Sequence, residues 1–147
     1  MKALVVYDSI YGNTKAIAEV VAGTLGKGTP AVSVEDFKEE MLAGVDLLIA
    51  GSPIIAWRPS EKMGKFLAGL KRGQLAGMKA AAFDTRIKAA ISGDAAKKIA
   101  KALVGAGAEV SGKPTGFHVK GREGPLAEGE VTRAVEWGMA LLVQAGR

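Results

Sequence analysis

The chain contains no cysteine and only one histidine, His118. Without cysteine, disulfide frameworks, thiol catalysis and thiolate metal sites are excluded. A Ser-His-Asp triad or a histidine-rich metal site would have to be built on His118 alone, and we expect this residue to lie on the surface. The absence of cysteine and the single histidine therefore argue against thiol catalysis and against a site built on histidine.

Long apolar runs are also missing. The longest uncharged apolar run covers residues 47–57, which is 11 residues, whereas a membrane-spanning helix needs about 20. Residues 1–9 are too short for a signal peptide and contain no cleavage pattern. We therefore expect a cytoplasmic domain without a membrane span.

Acidic residues are scarce in the middle of the chain. Residues 58–122 hold 14 basic and 4 acidic groups. Residues 1–57 hold 4 basic and 7 acidic groups, and residues 123–147 hold 2 basic and 4 acidic groups. This asymmetry suggests an anionic partner or substrate facing the middle segment. A merely solvated basic surface is the alternative, and we expect no nucleic-acid partner.

Apolar residues are abundant, at 48%, and their spacing alternates between strand and helix. Strands are predicted at 2–7, 31–35, 45–50, 78–83 and 117–119. Helices are predicted at 13–25, 36–42, 60–70, 94–104 and 130–143, the last with Val131, Val135, Met139 and Leu142 facing inward. This alternation predicts one α/β domain over residues 1–147, with a doubly wound parallel sheet between two helical layers. A ligand of such a sheet binds at the carboxyl ends of its strands.

The loop after the first strand reads Ser9-Ile10-Tyr11-Gly12-Asn13-Thr14. Gly12 allows a tight turn, and the following helix presents free N–H groups and the positive end of its dipole, which favour an anion. The loop contains no lysine or arginine, so a phosphate here would be held by neutral donors. The alternative is an ordinary capped helix start.

Other nucleotide-binding patterns are absent. Gly-x-Gly-x-x-Gly does not follow the first strand, and Gly-Lys-Ser/Thr does not occur in the chain. A phosphorylated receiver domain would need acidic residues after strands 1 and 3. Asp8 is present, but strand 3 ends in Gly51-Ser52.

The first loop resembles the phosphate-binding signature of flavodoxins, a hydroxyl residue and two further residues followed by Gly-Asn-Thr. The resemblance implies that Ser9, Gly12, Asn13 and Thr14 bind the phosphate of FMN. Ile10 and Tyr11 belong to the same loop. Tyr11 stands where the family often has threonine, so only its backbone N–H is carried over. The resemblance further implies a five-stranded parallel sheet in the order 2-1-3-4-5.

The loop after the third predicted strand, residues 51–60, is apolar and contains Ile54 and Trp57. Leaving these side chains exposed is costly, so we expect a flat apolar group to cover them. By resemblance this loop flanks the isoalloxazine ring. Trp57 would stack on the ring, Pro53 and Ile54 would lie beside it, and Ser52 would approach through backbone groups. Packing of Trp57 into the core, or against another protein, is the alternative.

The loop after the fourth predicted strand begins Asp84-Thr85-Arg86. The family usually has a glycine-rich acidic stretch with an aromatic residue here, and this chain has neither. Thr85 could hydrogen-bond the flavin, and Arg86 could approach its pyrimidine side. Asp84 and Arg86 could equally form a surface ion pair.

Three functions fit these patterns. The first is an FMN-dependent electron carrier that acts with a redox partner protein or an anionic small molecule, as a monomer or weak dimer. The second is an FMN enzyme on the same fold, such as a quinone reductase or a menaquinone-dependent protoporphyrinogen oxidase. The third is an interaction domain that has lost the flavin. We expect the carrier rather than a stand-alone enzyme.

Overall fold

The structure is a computed structural model, and it describes residues 1–88 and 94–146. Its strands are β1 (Ala3–Tyr7), β2 (Ala31–Ser33), β3 (Leu47–Ile55), β4 (Arg58–Pro59), β5 (Lys79–Ile87), β6 (Glu109–Val110) and β7 (Thr115–Val119). Its helices are α1 (Asn13–Leu25), α2 (Glu61–Ala68), α3 (Ala95–Gly105) and α4 (Glu130–Ala145), with a 3-10 turn at Glu39–Leu42.

The main sheet is parallel and runs β2-β1-β3-β5, with both β6 and β7 paired to β5. The predicted order 2-1-3-4-5 is therefore confirmed, and the fifth strand is divided into two short segments. α1 and α4 pack together on one face, while α2 and α3 pack together on the other. An apolar core lies on each face of the sheet. β1 is apolar throughout because Val5 and Tyr7 enter one core and Leu4 and Val6 enter the other.

β3 and β5 are longer than predicted and extend into the segments that were read as loops. Ser52 and Pro53 pair with Asp84 and Thr85 in the parallel register. β3 then turns back as a two-residue hairpin, in which Ile55 pairs with Arg58. Gly51 suggested a strand end, but the pairing of two adjacent strands overrides that local signal. Consequently the predicted flavin residues at 52–54 and 85–86 lie on strands.

Gly51 lies directly beneath the ring of Phe83. A Cβ atom at Gly51 would lie 2.0 Å from Cζ of Phe83, well inside van der Waals contact. Phe83 and Phe117 are both fully buried, and with Trp137 they form edge-to-face ring pairs between β5, β7 and α4. The glycine thus makes room for the aromatic centre of this core.

The prediction for the inward face of α4 is wrong. The buried residues are Glu130, Ala134, Gly138 and Leu141. Of the predicted residues, Val131, Met139 and Leu142 are exposed and Val135 is only partly buried. Gly138 lies so close to α1 that a Cβ there would be 3.0 Å from Cβ of Thr24. Small residues at 134 and 138 allow this close helix contact, and Leu141 and Trp137 are the larger α4 residues that pack into the core.

Candidate flavin site

A cavity of about 370 Å³ opens at the carboxyl ends of β1, β3, β5 and β7. The segments that line it come from four separate parts of the chain. Its lining residues are Ile10, Tyr11, Asn13, Thr14, Pro53, Ile54, Ile55, Ala56, Thr85, Arg86, Ile87, Val119 and Arg122. The sheet therefore brings the three predicted flavin segments together, and it adds a fourth around Arg122 that the sequence analysis did not include.

The loop between β1 and α1 has the backbone of an anion site. Gly12 adopts a left-handed conformation, with φ of 90°. Ser9 Oγ accepts hydrogen bonds from the N–H groups of Gly12 and Lys15, at 3.1 and 3.2 Å. Within the described part of the chain, the N–H groups of Asn13 and Thr14 have no acceptor. These two donors belong to the first turn of α1, where the helix dipole favours negative charge.

Three side chains expected at the phosphate instead hold the loop to its neighbours. Ser9 caps its own loop as described above. Asn13 Nδ2 donates to the carbonyl oxygen of Glu123 at 3.1 Å. The hydroxyl groups of Thr14 and Thr85 are 2.8 Å apart and buried. Hydrogen bonds therefore join three segments on this side of the cavity, and its anion donors are mainly backbone N–H groups.

Arg86 is paired with two carboxylates. Its Nε atom donates to Asp84 at 2.7 Å, and Nη2 lies 3.5 Å from Asp94, the N-cap residue of α3. Asp84 is 0% exposed and also accepts a hydrogen bond from the Ala96 N–H at 2.8 Å. Burial raises the pKa of Asp84, and the bonds from Arg86 and Ala96 offset part of that rise. Of the two alternatives for Arg86, the ion pair is thus present, but it is largely buried.

We call Asn13, Thr14, Thr85, Arg86 and Arg122 the polar wall of the cavity. The opposite side, residues 53–56, is here called the hairpin wall. It presents proline, isoleucine and alanine side chains to the cavity and ends in a two-residue turn. Both turn residues have positive φ, 50° at Ala56 and 65° at Trp57, although such turns favour Asn-Gly.

Four predicted residues do not line the cavity, namely Ser9 and Gly12, whose part in the loop is described above, and Ser52 and Trp57. Ser52 is fully buried at the base of the hairpin, where its Oγ accepts from the Ser60 N–H at 2.9 Å. Trp57 is 57% exposed at the hairpin tip, and its carbonyl oxygen accepts from Lys98 Nζ at 2.9 Å. Stacking by Trp57 remains a prediction. The part of the third predicted loop at residues 89–93 lies outside the described residues.

His118, expected on the surface, is only partly exposed. Its backbone N–H donates to Glu130 Oε2 at 2.6 Å, and Nδ1 lies 3.7 Å from the same oxygen. Arg133 Nη1 also donates to Glu130 at 2.6 Å. Burial opposes ionisation of Glu130, but these hydrogen bonds hold its pKa below its ordinary value. The cluster fixes the start of α4 beneath β7 and does not line the cavity.

The shape and chemistry of the cavity suit FMN. A phosphate fits the polar wall because free N–H groups at a helix N-terminus meet a left-handed glycine turn there. A flat ring fits the hairpin wall because that wall is apolar. Within the described residues, no group of three or more acidic or histidine side chains could hold a metal ion. No described helix is both long and apolar enough to cross a bilayer.

Solved structures of flavodoxins have the same fold. A flavodoxin from the domain Archaea gives a TM-score of 0.80 at 23% identity, with 100% of both chains covered. Flavodoxin 1 from Bacillus cereus gives 0.81 at 18% identity, over 97% of this chain and 98% of that one. Flavodoxin 2 from Bacillus cereus gives 0.77 at 25% identity, over 96% and 97%.

Comparison with curated protein sequences finds no match. The family model described as the flavodoxin domain, however, matches residues 4–119, which is well over half of the chain. The match runs from the second residue of β1 to the last residue of β7, so it covers the carboxyl end of every strand that borders the cavity. This chain belongs to the flavodoxin family of FMN-binding electron-transfer proteins.

Proposed function

We propose that the chain carries electrons through one FMN bound in this cavity, with the phosphate at the polar wall and the ring at the hairpin wall. The observation that carries the proposal is that Asn13 and Thr14, which line the cavity, have backbone N–H groups with no acceptor among the described residues. Bound FMN supplies the redox chemistry, while the protein binds it, orients it and sets its potential.

Each predicted segment has a definite part in this proposal. Residues 9–14 form the phosphate loop, with Ser9 and Gly12 shaping it and Ile10 and Tyr11 at its outer edge. Pro53 and Ile54 contact the ring, and Trp57 covers it from the hairpin tip. Thr85, which is held by its bond to Thr14 and lines the cavity, would contact the ribityl chain. Ser52 acts indirectly, by fixing the base of the hairpin.

The rim of the cavity suggests the kind of partner. Exposed apolar side chains at Ile10, Ile55 and Ile87 border the opening, and basic residues such as Arg58 and Lys98 lie around the hairpin. Opposite charge on a partner would speed its association in a salt-dependent way. We therefore propose a cytoplasmic monomer or weak dimer whose redox partner is a protein with an acidic docking face.

A second function is an FMN oxidoreductase that acts on a quinone or a protoporphyrinogen-type substrate. The exposed isoleucines at the rim favour it, since an apolar ring system could rest against them. Steady-state turnover of quinones with NAD(P)H by the isolated protein separates the two functions. Turnover without a protein partner supports the enzyme, and its absence supports the carrier.

A charge change at Ser9 tests where the phosphate binds. Ser9→Asp and Ser9→Asn both retain an acceptor for the loop N–H groups, and they differ in one negative charge. A negative charge at about 4 Å from the phosphate costs roughly 1–4 kcal/mol. Ser9→Asp should therefore bind FMN about tenfold or more weakly than Ser9→Asn. Asn13→Asp is less suitable, because the Asn13 side chain also holds the Glu123 carbonyl.

Riboflavin, which lacks the phosphate, is the control ligand. Both Ser9 variants should bind it equally, as measured by quenching of flavin fluorescence. If FMN affinity is the same in the two variants, the phosphate does not bind at this loop. If the wild-type chain binds neither flavin, the flavin-free interaction domain is the better description.

A further inference from the structure

The cavity is lined by two guanidinium groups that differ in their partners. Arg86 is bonded to Asp84 and lies near Asp94, so its positive charge is offset by two carboxylates. Arg122 lies on the same cavity, and among the described residues it takes part in no ion pair. Arg122 is therefore the cavity-lining cation whose charge is available to a ligand.

The segment that carries Arg122, residues 120–126, is held in one shape. The Lys120 N–H donates to the carbonyl of Pro125 at 2.8 Å, and the Gly124 N–H donates to the carbonyl of Gly121 at 3.0 Å. An isolated bridge joins Val119 to Leu126 at its ends. We call this segment the arginine loop. Its internal bonds mean that Arg122 projects from an ordered turn.

The arginine loop is fastened to the phosphate loop through Asn13. The side chain of Asn13 donates to the Glu123 carbonyl at 3.1 Å. Gly124 packs against it with φ of +107°, and a Cβ there would lie 2.6 Å from Asn13 Oδ1. Arg122 lines the cavity and is one residue from this contact, so the same turn carries the guanidinium group and the partner of Asn13.

The phosphate loop has no positive charge of its own, since residues 9–14 contain no lysine or arginine. The neutral donors of α1 can hold a phosphate dianion, and a guanidinium group adds to them through paired, charge-assisted hydrogen bonds. We infer that Arg122 binds the FMN phosphate from the arginine loop, as a cationic complement to the neutral donors of α1. This inference rests on the proposed function and names a residue of that same site.

Arg122→Gln tests the inference, with Arg72→Gln as the matched control. Both residues are exposed and both changes remove one positive charge, but Arg72 lies outside the cavity. Arg122→Gln should weaken FMN binding about tenfold or more, because a hydrogen bond to a charged group is lost. It should leave riboflavin binding unchanged. Arg72→Gln should change neither affinity more than about twofold, and Arg122→Lys should recover part of the FMN affinity.

The same titrations at low and high salt give a second readout. The difference between wild type and Arg122→Gln for FMN should shrink as salt rises, whereas riboflavin should show no such trend. Thermal melting of each apo variant checks that the fold is intact. Equal losses for FMN and riboflavin, or an FMN affinity matching that of Arg72→Gln, would overturn the role of Arg122 while leaving the flavin site in place. Failure of the wild-type chain to bind FMN would overturn the proposed function and this inference together.

Discussion

The two walls of the cavity differ in the contacts that hold them. The polar wall is fastened by hydrogen bonds between residues far apart in sequence, such as Thr14 with Thr85 and Asn13 with Glu123. The hairpin wall is local, apolar and closed by a turn whose two central residues both have positive φ. In the proposed function, the polar wall binds the phosphate through donors held in fixed positions. The hairpin wall covers the ring through apolar contact area.

The largest expected effect lies beneath the polar wall. Asp84→Ala leaves the Arg86 guanidinium and the Ala96 N–H without their buried acceptor. Breaking one side of a buried ion pair costs about 3–5 kcal/mol of the free energy of unfolding. Urea denaturation of the apo protein measures this loss. Asp94→Ala is the control, because it removes a helix cap and a more distant charge and should cost about 0.5–2 kcal/mol. Similar losses in the free energy of unfolding for the two variants would show that the buried ion pair stabilises the fold no more than the helix cap does.

The hydroxyl pair between Thr14 and Thr85 gives the next effect. Thr14→Val leaves one buried hydroxyl unpaired and should lower the free energy of unfolding by about 1–3 kcal/mol. Replacing both threonines by valine should lower it little further than either single change does. A double-mutant cycle in urea measures this coupling. Additive losses would mean that the two sides of the polar wall are not linked through these hydroxyls.

The hairpin wall should respond differently when Trp57 is truncated. Stacking beyond simple burial contributes about 0.5–1.5 kcal/mol, so Trp57→Ala should weaken FMN and riboflavin binding by similar factors. FMN should also quench less tryptophan emission in this variant. The remaining Trp137 is packed between Phe83 and Phe117 and serves as the internal reference. Unchanged affinity and unchanged quenching would remove Trp57 from the site.

The smallest effect concerns the turn itself. A left-handed conformation costs an ordinary L-residue roughly 1–2 kcal/mol, and asparagine tolerates it better than alanine. Ala56→Asn should therefore raise the free energy of unfolding by about 0.5–1 kcal/mol, again measured in urea. Ala76→Asn, outside the cavity and its hairpin, is the control and should give no gain. A loss of stability at position 56 would show that the turn is not strained in the apo protein.

The sequence correctly predicted the two ends of α1, the order of the strands and the cap of α2. The bounds of α1 match the prediction at both ends, because Gly12 and Gly26 flank a clear helical pattern. The order of the strands followed from the alternation of elements and from the first-loop resemblance. Serine is a common N-cap residue. Ser60 caps α2 in this way, because its hydroxyl oxygen accepts a hydrogen bond from the Met63 N–H.

The remaining features depend on contacts that no local pattern encodes. The extension of β3 and β5 needs the two strands to lie side by side, and the burial of Ser52 follows from the hairpin. Arg122 stands in a polar, glycine-containing stretch that reads as an ordinary surface turn. Only the contact between Asn13 and residues 123–124 shows that this turn borders the cavity. The uneven charge of residues 58–122 was a signal for such a cation, but it could not single out one residue.

The close packing of Gly51 against Phe83 has a consequence for how this sequence can change over evolutionary time. A larger residue at position 51 is incompatible with the phenylalanine ring 2.0 Å from its Cβ position, so either site alone resists substitution toward bulk. The two positions should therefore change as a pair, with a side chain at 51 accepted only in lineages where 83 has first become smaller. A second-site suppressor screen that starts from a poorly folding Gly51→Ala protein should recover changes at Phe83.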